Sequence, residues 1–193
     1  MIPGVILAAG LATRMGRSKA LLDAGGVTFM ERVSRALSGG GCDPVFVVVR
    51  DVLGEEAEEA RRLGLDVVLN PDPAEGPVTS MRAAIRTLPP EAEAMVFCHV
   101  DHPKIAGSTV ERILSAFRAG SASAVVPTHG GRRGHPTLLH RDLFPELMEE
   151  SLPQGARTVL RRHPEAVEEV HVEDAGILVD VDTEEEYFRY FNE

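Results

Sequence analysis

Apolar residues fall in short continuous runs along this chain, not in a simple alternation. Residues 2–8, 44–49 (PVFVVV) and 94–100 (AMVFCHV) are runs of strand length, rich in β-branched and aromatic side chains. Segments apolar on both faces suit strands buried inside a parallel sheet. Residues 66–69 and 122–126 are shorter runs of the same kind. Between them the spacing turns helical, predicting helices over residues 29–37, 55–63, 79–88 and 109–119. The first stops at Gly39-Gly40-Gly41 and the third at Pro89-Pro90, both helix-ending signals. After Gly130 the rhythm changes. A glycine- and arginine-rich loop (130–134) leads to a short run at 136–139, then to helices near 143–149 and 155–163. Strands near 167–172 and 177–181 and a last helix from about Thr183 complete the pattern. Repeated strand–helix units predict a mostly parallel sheet with helices on both faces, and the later segments add an antiparallel member. Ligands of such sheets bind beyond the carboxyl ends of the strands. The loops after Ala8, Leu69, Val100 and Val181 are therefore the places to look for chemistry.

The length of 193 residues predicts one domain over 1–193. Apolar residues at 44% and charged ones at 26% are globular proportions, which argues against disorder. Aromatics at 5%, with no Trp, leave little for a base-stacking nucleic-acid platform. The net charge of −10 should repel a phosphate backbone, so no nucleic-acid partner is expected. No apolar run is long enough for a membrane span, and no basic leader precedes residues 2–8, so a cytoplasmic protein without a membrane partner is predicted. Cys42 and Cys98 are too few and too far apart for a disulfide framework. The charge is unevenly spread: residues 165–193 hold eleven Asp/Glu and one Arg, whereas residues 1–40 hold five Lys/Arg and two Asp/Glu. The acidic tail reads as a solvated helix face. The basic start coincides with a glycine loop.

That loop, LAAGLATRMGRSK at residues 7–19, leaves a buried strand and carries Arg14, Arg17 and Lys19 among backbone amides freed by Gly10 and Gly16. Amides in a glycine turn make an anion site, and cations neutralise phosphate charge. It matches neither the Walker A spacing nor the dinucleotide fingerprint. The run LAAGLATRMGRSKALL closely resembles the signature L-A-A-G-x-S-x-R-M-G-x-x-K-x-L-L of the molybdenum-cofactor nucleotidyltransferases and their relatives. The resemblance continues in order through Asn70-Pro71, Gly76, the run 79–84 (TSMRAA), Cys98-His99-Val100-Asp101-His102-Pro103, Gly134-His135-Pro136, Gly155-Ala156-Arg157 and Asp180-Val181-Asp182-Thr183. It departs from the pattern at Ala12, where Ser is usual, and at His102, where Met is common.

This resemblance implies a Rossmann-like three-layer α/β/α sandwich of the nucleotide-diphospho-sugar/nucleotidyltransferase type. It implies Mg²⁺-dependent transfer of a nucleoside monophosphate to a phosphorylated acceptor with release of pyrophosphate. Ala8-Ala9-Gly10 resembles the pyrimidine-using members, since guanylyl-transferring relatives carry a second glycine in place of Ala9. CTP and a molybdopterin-type acceptor are thus the expected substrates, with a molybdoenzyme as a possible downstream partner. The resemblance gives Arg14, Lys19 and Asp101 catalytic roles. It gives nucleotide binding to Leu7, Ala8, Ala9, Gly10, Asn70, Gly76 and Ser80, and acceptor binding to His135 and Arg157. Asp101 ends an apolar run where a carboxylate can meet a metal, and Mg²⁺ takes one or two carboxylates plus phosphate oxygens. Asp180 and Asp182, two apart, would share one face of a strand. Either completes a metal pair with Asp101, and the resemblance favours Asp182.

The cluster Cys98, His99, Asp101 and His102 lacks zinc-finger spacing, and His129, His140 and His163 read as surface residues. No G-x-S-x-G occurs, so a serine hydrolase has no support. Two other readings stay open: transfer to another phosphorylated acceptor such as a sugar phosphate, and a non-catalytic nucleotide sensor or cofactor chaperone.

Overall fold

The structure, a computed structural model, describes residues 1–10 and 18–191. Parallel strands β1 (Gly4–Leu7), β2 (Val45–Val49), β3 (Asp66–Leu69) and β4 (Ala94–His99) lie in the order β3-β2-β1-β4. Next to β4 the direction reverses, because β7 (Thr137–His140) pairs antiparallel with it and with β5 (Ala124–His129). β8 (Val167–His171) runs parallel to β5 over Ala124–Thr128. The opposite edge of β5 is therefore shared by β7 and the two-residue β6 (Arg132–Arg133), with residues 134–136 between them. The sheet is the mostly parallel one with an antiparallel member that the sequence predicts.

Alternation along each strand explains the continuous apolar runs. Ile6, Val47 and Cys98 belong to one core, whereas Leu7, Val48 and Phe97 belong to the core on the other face. The first core takes α1 (Phe29–Gly39), α2 (Glu55–Arg62) and α4 (Gly107–Ala119). The second takes α3 (Pro77–Thr87), α5 (Phe144–Leu147) and α6 (Ala156–Arg162). Thr28 starts α1, its Oγ1 accepting from the Glu31 N–H at 3.1 Å. α7 (Glu184–Phe191) opens with a reciprocal cap: Glu186 Oε2 accepts from the N–H groups of Asp182 and Thr183, both at 2.9 Å, while Thr183 Oγ1 accepts from the Glu186 N–H. No helix among the described residues is long and apolar enough to cross a membrane.

The expected strand at 177–181 does not form. A short 3-10 turn, Ala175–Leu178, stands there instead, and the cause is Asp174. Its Oδ1 accepts from the Gly176 N–H at 2.9 Å, and its Oδ2 accepts from the Ala106 N–H and the Thr109 hydroxyl, both at 2.8 Å. A side chain that satisfies the local backbone competes with a ladder. The two-residue β6 lies inside what the sequence presents only as a loop.

One close approach locks this corner. Gly134 lies against the turn, where an added Cβ would stand 2.3 Å from the Ile177 carbonyl oxygen. Gly134→Ala should therefore destabilise the protein by roughly 1–3 kcal/mol. Thermal denaturation measures this, and an unchanged midpoint would show that the turn shifts without cost.

Candidate functional site

The carboxyl ends of β1, β2 and β4 open onto one side of the sheet. Beyond Leu7 the chain stays bonded to its neighbours, the Ala8 N–H donating to the Val48 carbonyl at 2.9 Å and the Val100 N–H to the Leu7 carbonyl at 3.2 Å. Leu7, Ala8, Ala9 and Gly10 thus form one wall of a cavity of about 330 Å³. Lys19, Gly76, Ser80, His99 and Asp101 complete it. Gly76 holds φ at +98°, which favours glycine, and N-caps α3 so that the helix start faces the cavity.

A second, wider cavity of about 840 Å³ adjoins the first and shares Gly76, Pro77 and His99 with it. Phe97, His135 and Ile177 give it an apolar and aromatic interior, and Arg132, Arg133, Arg157 and Arg161 reach it from β6 and α6. His99, His102 and His135 cluster there with ring centroids 4.8–6.3 Å apart. Burial lowers the pKa of His99 and His102 and holds that of His135 well below the ordinary value, so all three are neutral at pH 7. Nδ1 of His102 and of His135 is buried without a hydrogen-bond partner among the described residues.

The charged centre lies on the wall of the smaller cavity. Lys19 Nζ donates to Asp101 Oδ2 at 3.0 Å and to Asp182 Oδ1 at 2.5 Å. The Lys19 and Asp101 side chains are only 22% and 23% exposed, so their pair is shielded compared with surface pairs, whereas Asp182 at 44% keeps one side open to solvent. Burial opposes the charge on Lys19, but Asp101 and Asp182 outweigh it and raise the lysine pKa above its ordinary value. Asp182 reaches the site because the Val181 N–H donates to the Asp101 carbonyl at 2.9 Å. Two carboxylates from distant segments thus converge on one cation. An oxygen donor pair of this kind suits a hard divalent ion whose other ligands are phosphate oxygens and water. Among the described residues no group of three or more His, Cys, Asp or Glu is arranged to hold a metal.

The placement separates the sequence candidates. Lys19, Asp101 and Asp182 meet. His135 and Arg157 line the wider cavity. Asp180 lines that cavity too, so it and Asp182 do not share a strand face as the sequence suggests. Asn70 lines neither cavity and is buried beneath the smaller one, bonded to Ser80. Arg14 and Ala12 lie outside the described residues. His99, which borders both cavities, is given no site role by the sequence; it is legible there only as part of the run 98–103 and of a cluster without zinc-finger spacing.

Residues 4–167 match the model of the MobA-like NTP transferase domain. The chain belongs to that family. Among relatives of the MobA-like domain it is 28% identical to the molybdenum cofactor cytidylyltransferase of Escherichia coli (strain K12), over 95% of this chain and 92% of that protein. It is 30% identical to the molybdenum cofactor guanylyltransferase of Rhizobium meliloti, over 86% and 78%. It is also 33% identical to the nicotine blue oxidoreductase of Paenarthrobacter nicotinovorans, over 97% and 95%. The crystal structure of Rv0371c from Mycobacterium tuberculosis H37Rv matches with a TM-score of 0.82 at 29% identity, covering 100% of this chain and 98% of that one. A manganese complex of Rv0371c matches with a TM-score of 0.77 at 27% identity, over 98% and 97%. The MobA-like family assignment and the Rossmann-like nucleotidyltransferase fold both agree with the sequence reading.

Proposed function

We propose that the protein transfers CMP from CTP to the terminal phosphate of a molybdopterin-type acceptor, with Mg²⁺, releasing pyrophosphate. The observation that carries this reading is the meeting of Lys19, Asp101 and Asp182, the first two on the wall of the smaller cavity, which shares Gly76, Pro77 and His99 with the wider one. The smaller cavity takes the nucleotide and the wider one the acceptor. An acceptor phosphate oxygen attacks the α-phosphorus, a new P–O bond forms, and the bond to the β-phosphate breaks. A phosphate monoester has a second pKa of about 6, so the nucleophile needs no base at neutral pH. The protein's task is positioning and charge neutralisation. Asp101 and Asp182 would hold the divalent ion, which would supply positive charge to the phosphates. Lys19 neutralises the departing pyrophosphate, and the start of α3 presents its positive dipole end to the same anions. His135 and Arg157 face the acceptor.

The similarity to nicotine blue oxidoreductase favours one second reading, oxidation–reduction of a substrate in these cavities. The ion cluster tells against it: Lys19, with a divalent ion that Asp101 and Asp182 would hold, suits the neutralisation of a polyphosphate, which electron transfer does not need.

Pyrophosphate release from each of the four NTPs, with and without a molybdopterin-type acceptor, tests the proposal. CTP should be used in preference to GTP. Ala9 lines the smaller cavity, and in this reading its side chain keeps a purine edge from the main chain. Ala9→Gly should erode the preference by roughly tenfold or more in the ratio of kcat/KM, because relieving a steric clash has sharper effects than removing one favourable contact. A preference for GTP in the unaltered protein would overturn the cytidylyl assignment, and no pyrophosphate from any NTP would overturn transfer itself.

A further inference from the structure

Asn70 follows β3 and is 1% exposed, yet its carboxamide is fully engaged. Its Oδ1 accepts from the Asp72 backbone N–H at 3.0 Å. A backbone N–H can only donate, so this bond fixes which end of the amide is oxygen. The other end is the NH₂, which has two hydrogens and can accept nothing. It lies 2.9 Å from Thr79 Oγ1 and 2.9 Å from Ser80 Oγ. Both hydroxyl oxygens must therefore accept from Asn70, and each must direct its own proton elsewhere.

The two hydroxyls then differ. Thr79 has backbone carbonyls in reach, that of Gly76 at 2.8 Å and that of Asp72 at 3.0 Å. The Ser80 hydroxyl proton meets no acceptor among the described residues, and Ser80 lines the smaller cavity together with Ala9 and Lys19. A hydroxyl ordinarily offers either a proton or a lone pair to a ligand. Here the choice has been removed.

We propose that Asn70 is a positioning residue that fixes Ser80 as a hydrogen-bond donor into the cavity, so that the site selects a lone-pair atom on the nucleoside. The inference rests on the reading that this cavity binds the nucleotide. Asn70 itself does not touch the ligand. A carboxylate in its place keeps the shape and the bond from Asp72 but reverses the rest: it accepts from the Ser80 hydroxyl and turns a lone pair toward the ligand.

The test is a double-mutant cycle of Asn70→Asp and Ser80→Ala, with CTP affinity measured by calorimetry on the folded proteins. Inorganic triphosphate serves as a probe that carries the charge but no nucleoside. Ser80→Ala should weaken CTP binding about three- to tenfold, the worth of one hydrogen bond, and leave triphosphate binding unchanged. Asn70→Asp should weaken CTP binding tenfold or more, and that loss should shrink to the loss seen with triphosphate when Ser80 is already Ala. Ribose 5-triphosphate locates the atom: a Ser80→Ala effect that persists places it on the ribose, and one that disappears places it on the base. Unchanged CTP affinity in Ser80→Ala would overturn the proposal, as would an Asn70→Asp loss that is the same in both backgrounds. If the unaltered protein binds triphosphate and none of the four NTPs more tightly, the nucleotide reading itself fails and takes the proposal with it.

Discussion

Replacing Asp101 by Asn is expected to cut kcat/KM for nucleotidyl transfer by roughly 10²–10³-fold while the fold survives, the usual scale for losing one preorganised electrostatic group. Asp101 stands two residues beyond the end of β4, and its carbonyl holds Val181 in place. The amide variant keeps the backbone and the side-chain shape, so the Val181 bond and the Asp182 approach remain. What disappears is one of two anionic oxygen donors, and a hard divalent ion loses affinity with it. The divalent ion needed for half-maximal rate should therefore rise together with the fall in rate. Steady-state kinetics across a metal titration would show both. Near-normal turnover with an unshifted titration would remove Asp101 from the metal site.

Lys19→Ala should act on the rate more than on binding, with a loss in kcat on the order of 2.7–4 kcal/mol in barrier. The ammonium neutralises charge that grows as pyrophosphate departs, so the contact strengthens along the reaction. The variant also strips the cation from between Asp101 and Asp182, which bond to it at 3.0 and 2.5 Å. Two carboxylates left facing one point attract a divalent ion more strongly than before. Weaker turnover should accompany tighter binding of manganese in the absence of nucleotide, measured by paramagnetic resonance. A change confined to KM for the nucleotide would make Lys19 a binding residue only.

Much of this is legible in the amino-acid sequence. Runs such as PVFVVV, apolar on both faces, become strands because each face of β2 meets its own core. Lys19 and Asp101 were legible because their motifs sit at the carboxyl ends of such strands. The segment after Glu173 was not. Its apolar run 177–181 reads as a strand, and only the three hydrogen bonds accepted by Asp174 from α4 and the turn reveal why the ladder is lost. That loss sends Asp180 toward the wider cavity and Asp182 toward Lys19, a divergence that a period of two hides. Asn70 was legible as belonging near the site, but periodicity carries no record of which hydroxyls its amide would meet.

The manner in which Asp182 arrives has a consequence for heat. It stands just ahead of α7, a helix with no buried residue, which rests on the core through Tyr187 and Phe191 against the ring of Phe29. Elements held by few buried contacts open on their own, at a smaller free-energy cost than the body they dock on. Fraying of this one helix removes the Glu186 cap from the Asp182 and Thr183 N–H groups and loosens that carboxylate while the sheet stays paired. On warming, nucleotidyl transfer is therefore expected to fail below the midpoint of global unfolding, which activity and circular-dichroism melts run side by side would show.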